Sequence, residues 1–299
     1  MDIDKVSRAT RSTPILAAVD GSASSYQAVA WAAAEAALHH CPLHIITSMA
    51  IPTGFGPGIS LAEADLEWLR RDGDRILAEA ARVARTAAPG DEPPITTELS
   101  FELAIPLLID RSAGARMLVV GSRGLGAFQR GLLGSVSTAT THHAHCPVAV
   151  IHGISAIDAV SARQPVLVGV DGTGNSVPAV ELAFEEASRR KVDLIALHAW
   201  SDTSGPDMPA RGWDAARESA EAVLAESLVG WGERYPDVAV RRVVTADRPV
   251  RSLLEQSADT QLVIVGTRGR GGFASTVLGS TSNALLHSVE VPMIVVRSR

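Results

Sequence analysis

The chain is written twice. Pro14–Ile15–Leu16–Ala17–Ala18–Val19–Asp20–Gly21–Ser22 returns as Pro165–Val166–Leu167–Val168–Gly169–Val170–Asp171–Gly172–Thr173, a spacing of 151 from Asp20 to Asp171. Met117–Leu118–Val119–Val120–Gly121–Ser122–Arg123–Gly124 returns as Leu262–Val263–Ile264–Val265–Gly266–Thr267–Arg268–Gly269, at a spacing of 145 from Gly121 to Gly266. The second copy is therefore six residues shorter between the two blocks. Cys146–Pro147–Val148–Ala149–Val150 matches Val291–Pro292–Met293–Ile294–Val295 in the same way. Solenoid repeats have periods of roughly 20–50 residues, whereas a domain takes roughly 100–200. The 299 residues are thus expected to make two homologous domains, 1–152 and 164–299, joined by a small, polar linker at 153–163.

Each copy alternates short apolar runs with helical patterns. In the first, Ile15–Val19 ends at an Asp-Gly turn, and Ser24 or Ser25 is expected to cap an Ala-rich helix running to about His39. Leu43–Thr47 reads as a strand. Leu61 to about Ala87 has helical spacing through Leu66, Leu69, Ile76, Leu77 and Val83. Ile95–Phe101 alternates as a strand, and a short helix follows at about Ala104–Ser112, with Pro106 tolerated in its first turn. Met117–Val120 is wholly apolar. A Gly-rich loop, a helix from about Ser135 to His145 and the strand Val148–Ile151 complete the copy. Apolar strands separated by helices require a parallel sheet covered on both faces. Right-handed crossovers make it an open doubly wound, Rossmann-like α/β sheet.

Composition narrows the function. A net charge of −6 and a pI near 5.8 supply no basic field for nucleic acid or an anionic membrane. Aromatics at 4% are too sparse for a base-stacking platform. No apolar stretch approaches the ~18 residues of a membrane span, and the polar start of the chain carries no apolar signal region. With Cys41 and Cys146 as its only cysteines, it is expected to be a cytoplasmic protein with reduced, buried thiols.

In a doubly wound sheet, ligands bind at the carboxyl ends of the strands, at the switch point. Two features of each copy lie there. Asp20 and Asp171 end the first strands. Gly121–Ser122–Arg123–Gly124, nine residues and Gly134–Ser135 follow the fourth strand of one copy; Gly266–Thr267–Arg268–Gly269, nine residues and Gly279–Ser280 follow that of the other. Glycines let backbone approach a ligand closely, successive N–H groups form an anion nest, and the helix opening at Ser135 or Ser280 presents its N-terminus to phosphate. Gly126 and Gly271 recur inside the loops, Val136 and Thr281 stand in the first helical turns, and Ser137 and Ser282 add hydroxyls. An acid across the cleft suits a ribose hydroxyl or an adenine amino group. Together these describe a nucleotide site. The plain alternative is that the glycines shape tight turns and the Asp caps a helix. Retention of the spacing in two copies, while the loop interiors diverged, favours function.

Other motifs fit less well. Neither lysine, Lys5 or Lys191, stands in a Walker A context. Gly269, Gly271 and Ala274 match G-x-G-x-x-A, but after the fourth strand rather than the first, and the other copy has Gln129 in place of Ala274. No G-x-S-x-G elbow is present. His142, His143 and His145 suggest a metal. Only His142 recurs, as His287, and histidines at a helix C-terminus offset the helix dipole. No metal site is assigned. Trp68, Trp213 and Trp231 read as packing anchors.

These motifs, placed this way twice, resemble the universal stress protein family in its tandem, two-domain form. The likeness covers nearly all of the chain, and both loops match the family's ATP signature G-2x-G-9x-G-[ST]. It implies a five-stranded sheet of order 3-2-1-4-5 in each domain, with ATP between strands 1 and 4. It implies ATP contacts from Asp20, Gly121, Gly124, Gly134 and Ser135, and from Asp171, Gly266, Gly269, Gly279 and Ser280. Ala18 and Gly169 are expected to border the base. Asp202, just past the second strand, is placed to reach the ribose; Ile51 stands at the matching position of the first copy. The last strands, Val148–Ile151 and Ile294–Arg297, are expected to pair domains or, in a homodimer, subunits. No dedicated base, Lys clamp or acidic metal cluster stands beside the loops, so ATP, with Mg²⁺ on its phosphates, is expected to be bound with slow or no turnover. A true ATP hydrolase or nucleotidyl transferase and a nucleotide-independent interaction module remain the alternatives.

Overall fold

The inner strands are apolar on both faces, which dictates helices above and below the sheet. The computed structural model describes residues 13–50, 63–124, 133–152, 161–200, 213–269 and 278–297. The chain divides into two compact units, the first ending at Ile151 and the second beginning at His152.

Unit 1 runs β1 (Ile15–Ala18), α1 (Ala23–Leu38), β2 (Leu43–Ser48), α2 (Glu63–Ala87), β3 (Ile95–Ser100), α3 (Ala104–Ser112), β4 (Met117–Gly121), α4 (Ser135–His143) and β5 (Val148–Ile151). Its strands are ordered β3-β2-β1-β4-β5 and all pair in parallel. The register sets Ile15 beside both Leu43 and Met117. Successive crossovers leave β1 on one side and return to β4 on the other, so the switch point falls between these two strands. Every residue of β4 and β5 is buried.

Unit 2 repeats the plan with β6 (Val166–Gly169), α5 (Val177–Arg190), β7 (Leu194–Ala199), α6 (Trp213–Ser227), α7 (Trp231–Arg234), β8 (Val240–Thr245), α8 (Pro249–Ser257), β9 (Leu262–Gly266), α9 (Ser280–Ser288) and β10 (Met293–Val296). Its order is β8-β7-β6-β9-β10, again parallel. Both units therefore have the 3-2-1-4-5 sheet.

Two local expectations change. The cap of α1 is Ser22, whose side chain accepts the Ser25 N–H, not Ser24 or Ser25. Gly21, at φ +87°, turns the chain immediately after Asp20 and starts the helix earlier. Ser25 lies one turn inside, where its hydroxyl donates to the Ser22 carbonyl at 2.9 Å. Trp68 is not a packing anchor: 64% of it is exposed. Trp231 does pack, stacked on the fully buried Phe184 at 5.8 Å between centroids. Both cysteines are buried and free, and burial pushes the Cys146 thiol up to about 12, so it is not reactive. Among the described residues no helix is long and apolar enough to cross a membrane.

One polar network belongs to unit 1. On β3, Glu98 accepts from Arg111 Nη2 of α3 at 2.9 Å and faces His44 Nε2 of β2 at 2.9 Å. The Arg111 guanidinium, then His44, hold the Glu98 carboxyl below its ordinary value against the opposing effect of partial burial. A depressed carboxyl stabilises the fold above its unfolded pKa, about 4.3, and loses that contribution as the pH falls through the lower folded value. Urea unfolding across a pH series is expected to show wild type more stable than Glu98→Gln by a constant margin above about pH 5, a margin that shrinks towards pH 3.

Candidate functional site

The sheet ladder extends one residue past β1 and β6. Val19 N–H donates to Ile46 O at 2.9 Å and Val170 N–H to Leu197 O at 2.8 Å. The next residue in each unit, Asp20 or Asp171, therefore sits at the carboxyl edge of the sheet. Each carboxylate is oriented by the turn that follows. Asp20 Oδ1 accepts from the Ser22 backbone at 3.0 Å and its hydroxyl at 2.6 Å. Asp171 Oδ1 accepts from the Thr173 backbone at 2.8 Å and its hydroxyl at 2.9 Å.

The loop after β4 folds back on itself. Ser122 is buried; its N–H donates to Ile151 O and its carbonyl accepts the Gly134 N–H, both at 2.9 Å. Thr267 repeats this with Val296 O at 2.9 Å and the Gly279 N–H at 2.6 Å. The serine one turn into each helix ties it to the strand. Ser137 donates to Gly121 O and Ser282 to Gly266 O, each at 2.6 Å. These residues close the loop, and the hydroxyl protons of Ser137 and Ser282 are directed at protein rather than at a ligand.

What the loop leaves open is the start of α4. Its N-cap is Gly134 and no side chain caps it; α9 is built alike on Gly279. The first-turn N–H groups of a helix have no intrahelical acceptor, so those of Ser135 and Val136, and of Ser280 and Thr281, are available to an anion.

In unit 1 these parts surround one cleft of about 840 Å³. Ala18, Asp20, Gly121, Arg123, Gly124, Gly134, Ser135 and Val136 all line it; Ser122 does not. Its volume lies within the usual range for small-molecule sites. Apolar walls come from Ile46, Leu107 and Leu108, and α2 contributes Asp72 and Ile76. Local sequence gave no sign of α2 and α3 here, because topology rather than spacing brings them in. In unit 2, Gly169, Asp171, Gly266, Arg268, Gly269, Gly279 and Ser280 hold the equivalent places on β6, β9 and α9. Gly126, Gly271 and Asp202 lie outside the described residues.

Two glycines have specific reasons to be glycine. A Cβ on Gly121 would stand 2.9 Å from the Ser24 carbonyl oxygen, so β4 and the first turn of α1 touch backbone to backbone. A Cβ on Gly124 would collide with Asp20 Oδ2, so the loop crosses directly over the acid. The close approach at Gly121 serves the protein itself, which is the plain structural reading; that at Gly124 joins the acid and the loop into one surface. At Gly266 the matching contact, to Asn175 O, is 3.2 Å. Gly121→Ala is therefore expected to destabilise unit 1 by about 1–3 kcal/mol, and Gly266→Ala to cost less, as read by denaturant unfolding of each variant.

The fold and this loop together define a class: tandem α/β proteins with a Gly-bounded loop at the switch point of each doubly wound unit. The profile of the Universal stress protein family matches residues 12–152 and again 162–297, and the chain belongs to that family. It is 44% identical over 284 residues to universal stress protein Rv2005c of Mycobacterium tuberculosis, covering 95% of this chain and 96% of that one. It is 41% identical over 293 residues to Rv2623 of the same organism, covering 98% and 99%. Among solved structures, a universal stress protein from Archaeoglobus fulgidus superposes with a TM-score of 0.66 at 19% identity over 96% of this chain and 99% of that one, a likeness of fold.

Proposed function

We propose that this universal stress protein is a cytoplasmic ATP-binding protein with one ATP site per unit, and that ATP occupancy, with slow or no hydrolysis, sets a stress or growth response. The observation that carries this reading is the unit 1 cleft, which joins an uncapped helix N-terminus to an oriented carboxylate across apolar walls. The donor set fits a nucleoside triphosphate. The N–H groups of Ser135 and Val136 and the exposed Arg123 suit phosphates. Ile46, Leu107, Leu108 and Ala18 suit a base. A carboxylate, which only accepts hydrogen bonds, suits sugar hydroxyls or a base amino group. Mg²⁺ would ride on the phosphates, with the Ser135 hydroxyl and water as ligands.

Turnover has less support. Among the described lining residues the charged groups are Asp20, Asp72 and Arg123. Phosphoryl transfer relies on positive charge concentrated at the transferred group, and one arginine is a weak supply. Thermal unfolding with added ATP tests the reading. Ligand at about 100 times its Kd stabilises by about 2.7 kcal/mol, so the melting temperature is expected to rise by several degrees. Phosphate release well above background, abolished by Asp171→Asn, would instead favour an enzyme. No shift at millimolar ATP would favour a nucleotide-independent interaction module.

A further inference from the structure

Just past its second strand unit 1 has Ile51 where unit 2 has Asp202, so the position expected to carry a ribose-facing acid is apolar in this unit. The structure brings an acid to the unit 1 cleft from a different element. Asp72 projects from α2 and lines the cleft together with Asp20, Met49 and Ile76. It is held by one oxygen only: Oδ1 accepts from Arg75 Nη2 at 2.7 Å and from Arg75 Nε at 3.0 Å. Oδ2 takes no hydrogen bond from any described residue. Arg75, one turn further along α2, donates twice to the same oxygen, Oδ1, which leaves Oδ2 to another donor. In unit 2 the helices align on Leu77–Ala78–Glu79 and Leu224–Ala225–Glu226, which sets Ser219 in the place of Asp72.

We propose that Asp72 reads the sugar of the nucleotide in unit 1, its Oδ2 accepting from a ribose hydroxyl. This rests on the nucleotide reading above and names a residue outside the loop signature. The chemistry is selective. A carboxylate repels phosphate, so Asp72 belongs at the end of the ligand away from Arg123 and the start of α4. Away from the phosphates a nucleotide offers donor protons on its sugar hydroxyls and its base amino group; we take the hydroxyl, because unit 1 lacks the acid expected to face the ribose after its second strand, and a hydrogen bond to a charged acceptor is among the stronger kinds. A site built to bond a hydroxyl discriminates against the analogue that lacks it. Two different elements would then supply the sugar-facing acid in the two units, α2 in the first and the segment after β7 in the second.

The test uses the full chain, photolabelled with 8-azido-ATP and mapped by peptide mass spectrometry, so that the two units are read separately. ATP, 2′-deoxyATP and 3′-deoxyATP serve as competitors. In wild type, at least one deoxy analogue is expected to protect unit 1 about tenfold more weakly than ATP. In Asp72→Asn and in Asp72→Ser that discrimination is expected to fall within about twofold, while unit 2 keeps its wild-type pattern. Two results would overturn the assignment and leave the nucleotide reading standing: unit 1 labelling that ATP blocks with no preference over either deoxy analogue in wild type, or a preference that survives both substitutions. A unit 1 that ATP never protects would remove the nucleotide reading, and this inference with it.

Discussion

Replacing Ser135 and Ser280 together by aspartate is expected to abolish ATP binding while leaving the protein at least as stable as before. Both residues occupy the first turn of a helix that no side chain caps, and both are exposed. An acid at a helix N-terminus is favourable, by roughly 0.3–1 kcal/mol at an exposed position. The same charge repels a triphosphate docked on those N–H groups. Two unit charges about 4 Å apart interact by about 4 kcal/mol at an effective dielectric of 20, so a loss of at least about 100-fold in affinity is expected at each site. Ser135→Asn with Ser280→Asn keeps the shape without the charge and is expected to stay within several-fold of wild type. Calorimetric titration and thermal unfolding on the same samples give the two numbers. With Mg²⁺ left out, because an aspartate there would ligate it, undiminished ATP binding by the double aspartate variant would mean that no phosphate lies at these helix starts. This pair separates ligand from fold in a way Gly121→Ala cannot, since the glycine is also needed for the contact with Ser24.

The largest effect on stability is expected from Phe184→Ala. Phe184 is among the largest fully buried side chains and stands on α5, a helix that packs against β6 and β9. It stacks on Trp231 and on Tyr235, each at 5.8 Å between centroids, and Arg234 covers the outside of both rings at 5.4 and 5.5 Å. Truncation removes buried aromatic surface and leaves a cavity that three neighbouring elements cannot jointly close. The expected cost is about 3–5 kcal/mol, seen in denaturant unfolding as a shift of the unit 2 transition. Phe184→Leu, which keeps most of the volume, is expected to lose less than half as much. An equal loss in both variants would mean that the ring's stacking, not the volume it fills, carries the stability.

The fold was legible in the sequence because the same physics was written twice. Helix Ala104–Ser112 and strand Val148–Ile151 have the bounds expected from pattern alone, since uninterrupted apolar runs leave a parallel sheet as the one economical way to bury them. What pattern missed was decided by contacts distant in sequence or by backbone turns. The α1 cap moved to Ser22 because Gly21 takes a left-handed conformation that a run of serines does not announce. Trp68 has an aromatic ring at a helical position, yet exposure depends on what α2 meets there, and it meets little. Ser137 lines the cleft as its place in the loop implies, but which way its proton points was not legible: the strand-end carbonyl of Gly121 takes it, as that of Gly266 takes the proton of Ser282. Asp72 carries no motif at all, and only the packing of α2 against α1, β2 and β3 brings it to the cleft. The loop signature thus marked where the site lies but not which helices wall it.

The central question is whether each unit holds ATP. The most direct measurement is to denature the purified full chain and identify, by mass spectrometry with stoichiometry, the small molecule it releases. ATP is expected to approach two per chain, or to reach the same stoichiometry on titration if it is lost during purification. A chain that releases no nucleotide and gives no heat on titration with ATP would contradict that expectation, and would leave the paired glycine loops as turns that serve the fold alone.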